Sequence, residues 1–287
     1  MAQALAIQFK PYTDELFKAE SKSALVTNTD FDFSGAHTVK IFKVSTAALN
    51  NYARNVSADD ETIPVSRYGV LADLSSTAEE MVLSKDRSFI FNIDKMDQDE
   101  TAQQVAAASA LARELREVVI PEVDTYVFNK MVTGAGTSAS EVLTAANVYE
   151  KILAGSGTLD DNEIPDTDRV LIVTPATYAL LKQAAQFDYS DVGTELRLNG
   201  VVGLLDGMKV IRVPASRLPE NTGFIVCHPS ATVRPVKLED YNVHVNTPLS
   251  SGDIVTGRIV YDAFVLANKA KGIYVHVNAA AAEGDGE

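Results

Sequence analysis

The chain has 287 residues, 46% hydrophobic and 22% charged, which is enough apolar material for one large domain or two smaller ones. Its 39 acidic and 25 basic residues leave a net charge of −14, a poor basis for a face that wraps nucleic acid. A lone Cys227, in the apolar run 224–227 and expected buried, excludes an intrachain disulfide or Cys-based metal cluster; no window nears the ~18 apolar residues of a membrane span and no secretory leader is read, so a reducing, soluble compartment is expected.

In chain order, residues 1–27 carry a short amphipathic stretch with Leu16, Phe17, Ala24 and Leu25, too few to form a core alone. Two readings stay open: an arm that needs a partner surface, or a short helix lying on its own domain. Residues 28–34 alternate Phe31 and Phe33 with Asp30 and Asp32, as an extended segment with one buried face does. The two Asp lack the other ligands of a calcium loop. Residues 37–44 read as a strand, with Val39, Ile41 and Lys43 on one face and Thr38, Lys40 and Phe42 on the other. A second strand is read at 87–94, with Phe89, Phe91 and Ile93 on one face. The roughly forty residues between them show little core signal, and a structureless loop that long is unusual inside a compact domain. They are expected to leave the body as a long hairpin. Tyr52, Val56, Ile63, Val65, Tyr68 and Leu71 would then bury against a neighbouring subunit, and Leu16 and Phe17 of the arm are expected to do the same.

Residues 97–133 are the longest helical signal. Val105, Ala108, Ala112, Leu115 and Val119 recur at spacings of three and four, which places them on one face. Asp97 and Glu100 fit a capping box, and Pro121 is expected to kink the helix or start a fresh turn. A second helix is expected over 138–153, with Ser138 and Glu141 as its capping box and Gly155-Ser-Gly157 as its end. An acidic loop at 158–168, a fully buried strand at 169–173 and a helix from Pro175 capped by Thr174 follow. Residues 186–199 are polar. Residues 200–213 read as a turn and a strand, 223–227 as a short strand, and 232–277 as a strand-rich antiparallel region with one covered face. The whole is read as an α+β chain.

No catalytic, cofactor-binding or metal site rises from the pattern, and no enzyme activity is expected. His37, His228, His244 and His276 have no partner at metal-ligand spacing. The run 134–139 matches G-x-G-x-x-A, but it follows a helix, whereas the dinucleotide fingerprint follows a strand, so it reads as a flexible turn. Phosphate-binding loops, nucleophile elbows and zinc-helix motifs do not occur.

Four stretches resemble the HK97-fold major capsid proteins of tailed bacteriophages: DELFKAESKSALVTNTDFDFSGAHTVKIFKV (14–44), DRSFIFNIDKMDQDET (86–101), REVVIPEVDTYVFNKM (116–131) and LLDGMKVIRVP (204–214). The similarity covers nearly the whole chain. It implies an N-terminal arm over 1–34 and an extended β-hairpin, the E-loop, over 35–85. It further implies a peripheral P-domain with a long spine helix over 86–138 and 233–266, an axial A-domain over 139–232 and 267–280, and a tail over 281–287. The function implied is a structural shell subunit, found in the virion capsid and assembled in the host bacterial cytoplasm. Its implied partners are further copies as pentamers and hexamers, a separate scaffolding protein, a portal protein, and double-stranded DNA enclosed without sequence-specific contact. No cofactor and no membrane are implied. Two alternatives stand beside this: an encapsulin-like compartment shell, and a homo-oligomeric enzyme with a mobile loop at 45–85.

Overall fold

Polar and apolar side chains alternate over residues 38–41, which asks for a strand with one covered face. The computed structural model describes residues 21–28, 38–52, 54, 67–68, 73–74, 76–96, 107–184, 201–245 and 251–279. Strand β1 (Thr38–Val44) pairs antiparallel with β2 (Ser76–Val82), Thr38 opposite Val82 and Val44 opposite Ser76. The returning strand is therefore 76–82, within the stretch read as poor in core signal, and not 87–94. The sequence STAEEMV hides it because its own Glu79 and Glu80 break the apolar pattern, and each is answered by a lysine of β1. Lys40 faces Glu80 at 2.5 Å, and Lys43 meets Glu79 at 2.8 Å. The hairpin lies in a compact unit, Phe33–Leu83; Met1–Asp32 and Ser84–Glu287 form the other.

The second unit runs in chain order through β3 (Lys85–Asp94), α1 (Ala107–Glu114), a π-helical turn (Leu115–Val119), α2 (Ile120–Thr133), β4 (Thr137–Glu141), α3 (Val148–Asp161), β5 (Val170–Val173) and α4 (Pro175–Gln183). There follow β6 (Val201–Leu205), β7 (Met208–Arg212), β8 (Thr222–Cys227), β9 (Thr232–Val233), β10 (Val236–His244), β11 (Gly252–Tyr261), β12 (Phe264–Val265) and β13 (Ile273–Asn278). Among the described residues, no helix is long and apolar enough to cross a membrane.

A six-stranded mixed sheet in the order β4-β13-β8-β5-β7-β6 organises this unit. Strand β5 is apolar at every position and buried throughout, as a strand covered on both faces must be. Val170 and Ile172, with Ile225, Cys227, Ile211, Ile273 and Val275, point to one side, where Val123, Val127, Phe128 and Met131 of α2 cover them. Leu171 and Val173, with Phe224, Val226, Val210 and Tyr274, point to the other. There Val148, Ile152 and Leu159 of α3 and Tyr178 and Leu181 of α4 pack. The expected burial of Cys227 holds, and its apolar setting pushes the thiol up to about 12. Helix α4 begins as read, the Thr174 hydroxyl accepting from the Thr177 N–H ahead of Pro175.

Strand β3 exists as expected, one residue pair longer, and turns Phe89, Phe91 and Ile93 inward. Its partner is β11, in a second sheet ordered β10-β11-β3. The strand-rich C-terminal region therefore splits. β10 and β11 are antiparallel as read, whereas β13 joins the large sheet, antiparallel to β8 and parallel to β4.

Residues 107–133 are helical throughout, and residues 97–106 lie outside the described set. The irregularity sits just before Pro121, where the Ile120 N–H donates to the Leu115 carbonyl across a π turn. Proline has no N–H for residue 117, and its ring crowds that carbonyl; a wider turn absorbs both effects. The π turn also rotates the helix face. Ala112, expected inward, is exposed, and Leu115 and Val119 are half-buried, while Ala110 and Leu111 pack against Ile93 and Val255.

The expected helix at 138–153 is a correction. Residues 137–141 form edge strand β4, and the helix begins at Val148 and runs through Gly155 and Gly157. The glycines do not end it because Gly155 serves packing: a Cβ there would lie 2.9 Å from the Tyr274 ring. Residues 200–203 read as the turn, yet Val201–Leu205 form strand β6. The turn is Asp206-Gly207, both at positive φ (50° and 74°), the two-residue form that favours Asp-Gly. Part of the acidic loop at 158–168 is the last turn of α3. The buried Arg169 closes its end, donating to the carbonyls of Ser156, Ile164 and Pro165 and pairing with Asp160 at 2.6 Å. Of the run 134–139, residues 134–136 form a tight turn and 137–139 open β4, with the Gly136 N–H bonded to the Ala270 carbonyl at 2.9 Å.

Candidate functional site

Asp124 occupies the inward face of α2 between Val123 and Val127 and is fully buried. A lone buried carboxylate is costly, so it must be paired and saturated with donors. Arg217, itself buried, donates from Nη1 at 2.8 Å. Residues 21–23 supply the rest: Ser21 Oγ at 2.7 Å, the Lys22 N–H at 3.0 Å, Ser23 Oγ at 2.6 Å and the Ser23 N–H at 3.4 Å. The segment continues into a ladder in which the Asn28 N–H donates to the Thr232 carbonyl and the Arg234 N–H to the Asn28 carbonyl. The end of the N-terminal stretch is thus tied to its own unit through one side chain of the long helix.

Asp262, also buried, does the same where the chain re-enters from the hairpin. It accepts from the Ser84 N–H and the Tyr126 hydroxyl, both at 2.8 Å, and from the Ala263 N–H at 2.7 Å. Lys85 Nζ and Lys130 Nζ lie 4.9 and 5.5 Å from the Tyr126 ring centroid. One turn earlier, Glu122 pairs with Arg87 at 2.7 Å and accepts from the Tyr261 hydroxyl at 3.2 Å. Burial and the Glu122 carboxylate push that phenol well above its ordinary range.

The hairpin unit presents apolar surface. Val39, Ile41 and Lys43 share the more covered face and Thr38, Lys40 and Phe42 the open one, as alternation predicts; Phe42 is 71% exposed. Of the expected contact residues, Tyr52 and Tyr68 meet edge to face with centroids 5.1 Å apart, and both are exposed, Tyr68 at 78%. Leu16, Phe17, Val56, Ile63, Val65 and Leu71 lie outside the described residues. Leu49 and Leu74, not singled out by pattern, are exposed as well. Neither anchoring Asp was found from sequence. An Asp inside a helical period reads as solvent-facing, and its donors lie about a hundred residues away, as in the Ser23–Asp124 bond.

No group of three or more potential metal-ligating side chains occurs among the described residues. His244 is exposed and 3.1 Å from Thr256 Oγ1, His228 accepts from the Ser230 N–H at the start of a short 3-10 turn, and His37 is outside the described residues. His276 is fully buried, stacked on Phe224 at 4.9 Å, with no hydrogen-bond partner for either ring nitrogen among the described residues. Burial holds its pKa below the ordinary value, against the opposing pull of Glu141. An unfolded His takes up its proton near pH 6.5 while the folded ring resists, so stability is full above that pH and falls as pH drops through it. Melting temperature is expected to fall from about pH 7.5 to about pH 5.5, and His276→Phe to flatten much of that slope, the similarly depressed His228 keeping a share. Equal slopes in the two proteins would refute this assignment.

Neither a protein-family model nor a curated protein sequence matches the chain. Solved structures do. A chain of Mycobacterium phage Che8 is 19% identical and aligns over 95% of this chain and 96% of its own, with a TM-score of 0.70. The asymmetric unit of the bacteriophage PhiM1 mature capsid matches at 12% identity over 96% and 92% of the two chains, with a TM-score of 0.70. The capsid structure of cyanophage P-SCSP1u matches at 14% identity over 96% and 93%, also with a TM-score of 0.70. A virus-like particle from Pyrococcus furiosus matches more loosely, at 12% identity over 89% and 92%, with a TM-score of 0.53. The chain shares its fold with these chains, and the mixed helix-and-sheet class expected from sequence stands.

Proposed function

We propose that this chain, with the fold of phage capsid subunits, is the major capsid protein of a tailed bacteriophage. Its role is structural: it self-assembles into an icosahedral shell enclosing double-stranded DNA and resides in the virion. The observation that carries the reading is the extent of the likeness, which spans more than nine-tenths of this chain and of the PhiM1 and P-SCSP1u capsid chains. The separate hairpin unit with outward apolar side chains supports it, because such surface has a use only when a neighbour covers it.

Under this reading residues 107–133 serve as the spine helix of the P-domain, together with the β10-β11-β3 sheet. The six-stranded sheet with α3 and α4 serves as the axial A-domain. Residues 33–83 are the E-loop, whose Tyr52, Val56, Ile63, Val65, Tyr68 and Leu71 lie on an adjacent copy in pentamers and hexamers. A separate scaffolding protein and a portal protein are the other protein partners, assembly taking place in the host cytoplasm. The net charge of −14 suits a container whose wall must not grip its DNA.

The purified protein is expected to form closed shells tens of nanometres across, seen by electron microscopy and light scattering. Only monomers or dimers at every concentration would overturn the proposal. The likeness to the Pyrococcus furiosus particle supports a second reading, an encapsulin-like compartment. Shells purified from infected cells carry phage DNA under the first reading and protein cargo under the second.

A further inference from the structure

The middle of β3 reads Phe89-Ile90-Phe91-Asn92-Ile93, a run with four large apolar side chains and no charge, Gly or Pro. It lies on β11 in unbroken register, from Lys85 opposite Tyr261 to Asp94 opposite Gly252. On its other side β3 ends the sheet β10-β11-β3, so among the described residues no strand pairs with it there. Every second residue of β3 therefore turns its N–H and C=O outward. Natural edges are blunted by Lys, Pro, a bulge or brevity, and this ten-residue edge has none of these over its middle. The side chains are open as well. Ile90, on the outer face of the sheet, is 70% exposed. Phe89 and Phe91, on the inner face, are only half-buried. Clefts of about 140 and 360 Å³ open beside them, the first against Val118 and the second against Arg113 and Glu114 of the long helix.

What fits this edge is set by its own sequence. Phe-Ile-Phe reads the same in both directions about Ile90, as a strand that runs antiparallel to its own copy across a two-fold axis requires. With the axis at Ile90 and normal to the sheet, both copies keep their inner faces on one side. Phe89 then lies opposite Phe91 of the partner subunit, and Ile90 opposite Ile90 of the partner subunit, aromatic and branched pairs that favour strand association. Ser88 meets Asn92 of the partner subunit, polar on polar. The like-charge pair, Asp86 with Asp94 of the partner subunit, is already compensated within each copy. Arg258 holds Asp86 at 2.9 and 2.5 Å, and Asp94 accepts from the Met96 N–H at 2.8 Å.

We infer that the β3 edge is a docking surface for a second copy of this chain, the two β3 strands pairing antiparallel about Ile90. The pairing joins two three-stranded sheets into one of six strands and satisfies the outward backbone groups of both. Phe89 and Phe91 gain cover from the facing rings, and Ile90 loses its exposure to water. The contact does not rest on the capsid proposal, since a plain dimer serves it equally well.

The test uses the full chain, in which Cys227 is buried and its thiol is pushed up to about 12. Ile90→Cys is treated with a mild oxidant or a short bismaleimide over a range of protein concentrations and compared with Thr256→Cys. Thr256 sits opposite Ile90 on β11, one strand further from the axis, so its two copies stand about 14 Å apart, three strand spacings. The expected result is a covalent dimer from Ile90→Cys at several-fold higher yield than from Thr256→Cys. Equal yields overturn the inference and assign Ile90 to face-to-face stacking of sheets, and no dimer from Ile90→Cys at any concentration overturns it too. A mixture of Ser88→Cys and Asn92→Cys is expected to cross-link several-fold more than either alone, and the opposite order refutes the axis at Ile90. Ile90→Lys changes an exposed side chain and sets two like charges against each other on the axis. It is expected to melt as wild type does and to associate several-fold more weakly, whereas unchanged association refutes the contact. Shells that form without the Ile90 cross-link sink this inference and leave the capsid reading standing; cross-linked dimers that never form shells do the opposite.

Discussion

Asp124→Ala is expected to lower the free energy of unfolding by about 3–5 kcal/mol, read as a lower denaturant midpoint at unchanged slope. The size follows from what the substitution leaves behind. The Arg217 guanidinium stays buried without its counter-ion, and the Ser21, Lys22 and Ser23 donors lose their acceptor. Those donors anchor the end of the arm, so proteolysis near residues 18–22 is expected to accelerate as well. Asp124→Asn keeps one acceptor oxygen without the charge and falls between wild type and Ala. The double variant Asp124→Ala with Arg217→Met removes the stranded charge and regains part of the loss. A cost for Asp124→Ala below about 1 kcal/mol would show that the cluster contributes shape alone.

The second large effect is on assembly. Replacing residues 45–75 with Asn-Gly keeps the β1–β2 pairing, which ends at Val44 opposite Ser76, and supplies a turn suited to a two-residue hairpin. It also keeps Ser84, and with it the bond to Asp262. The variant is expected to melt within a few degrees of wild type and to form no shells at concentrations where wild type assembles completely. The excision must spare 76–82. Cutting from residue 46 to 84 would leave β1 unpaired and strip Asp262 of a donor, which mixes a folding defect into the assembly result. Normal shells from the shortened chain would remove the hairpin from the proposed subunit interface.

Much of the fold was legible because its signals are local. Val170 to Val173 and Phe224 to Cys227 are apolar at every position, and only a strand buried on both faces accommodates that. Thr174 before Pro175 specifies a helix start from neighbouring atoms alone. The alternation of Phe89, Phe91 and Ile93 determined which way β3 faces. Partner choice is a different matter. β3 pairs with β11, well over a hundred residues on, and the apolar pattern of a strand says which face is buried without saying which strand lies alongside. Ser138 to Glu141 carries a capping-box pattern, yet the free edge of β13 takes it as a strand. Gly155 stays inside a helix because Tyr274 needs the room. Asp124 and Asp262 look like ordinary polar residues until the fold brings Arg217, Ser23, Tyr126 and Ser84 to them. Local periodicity and capping are properties of a few adjacent residues and are determined by the sequence itself. Strand partners, tolerated glycines and buried carboxylates depend on groups distant in the chain, and only the tertiary structure decides them.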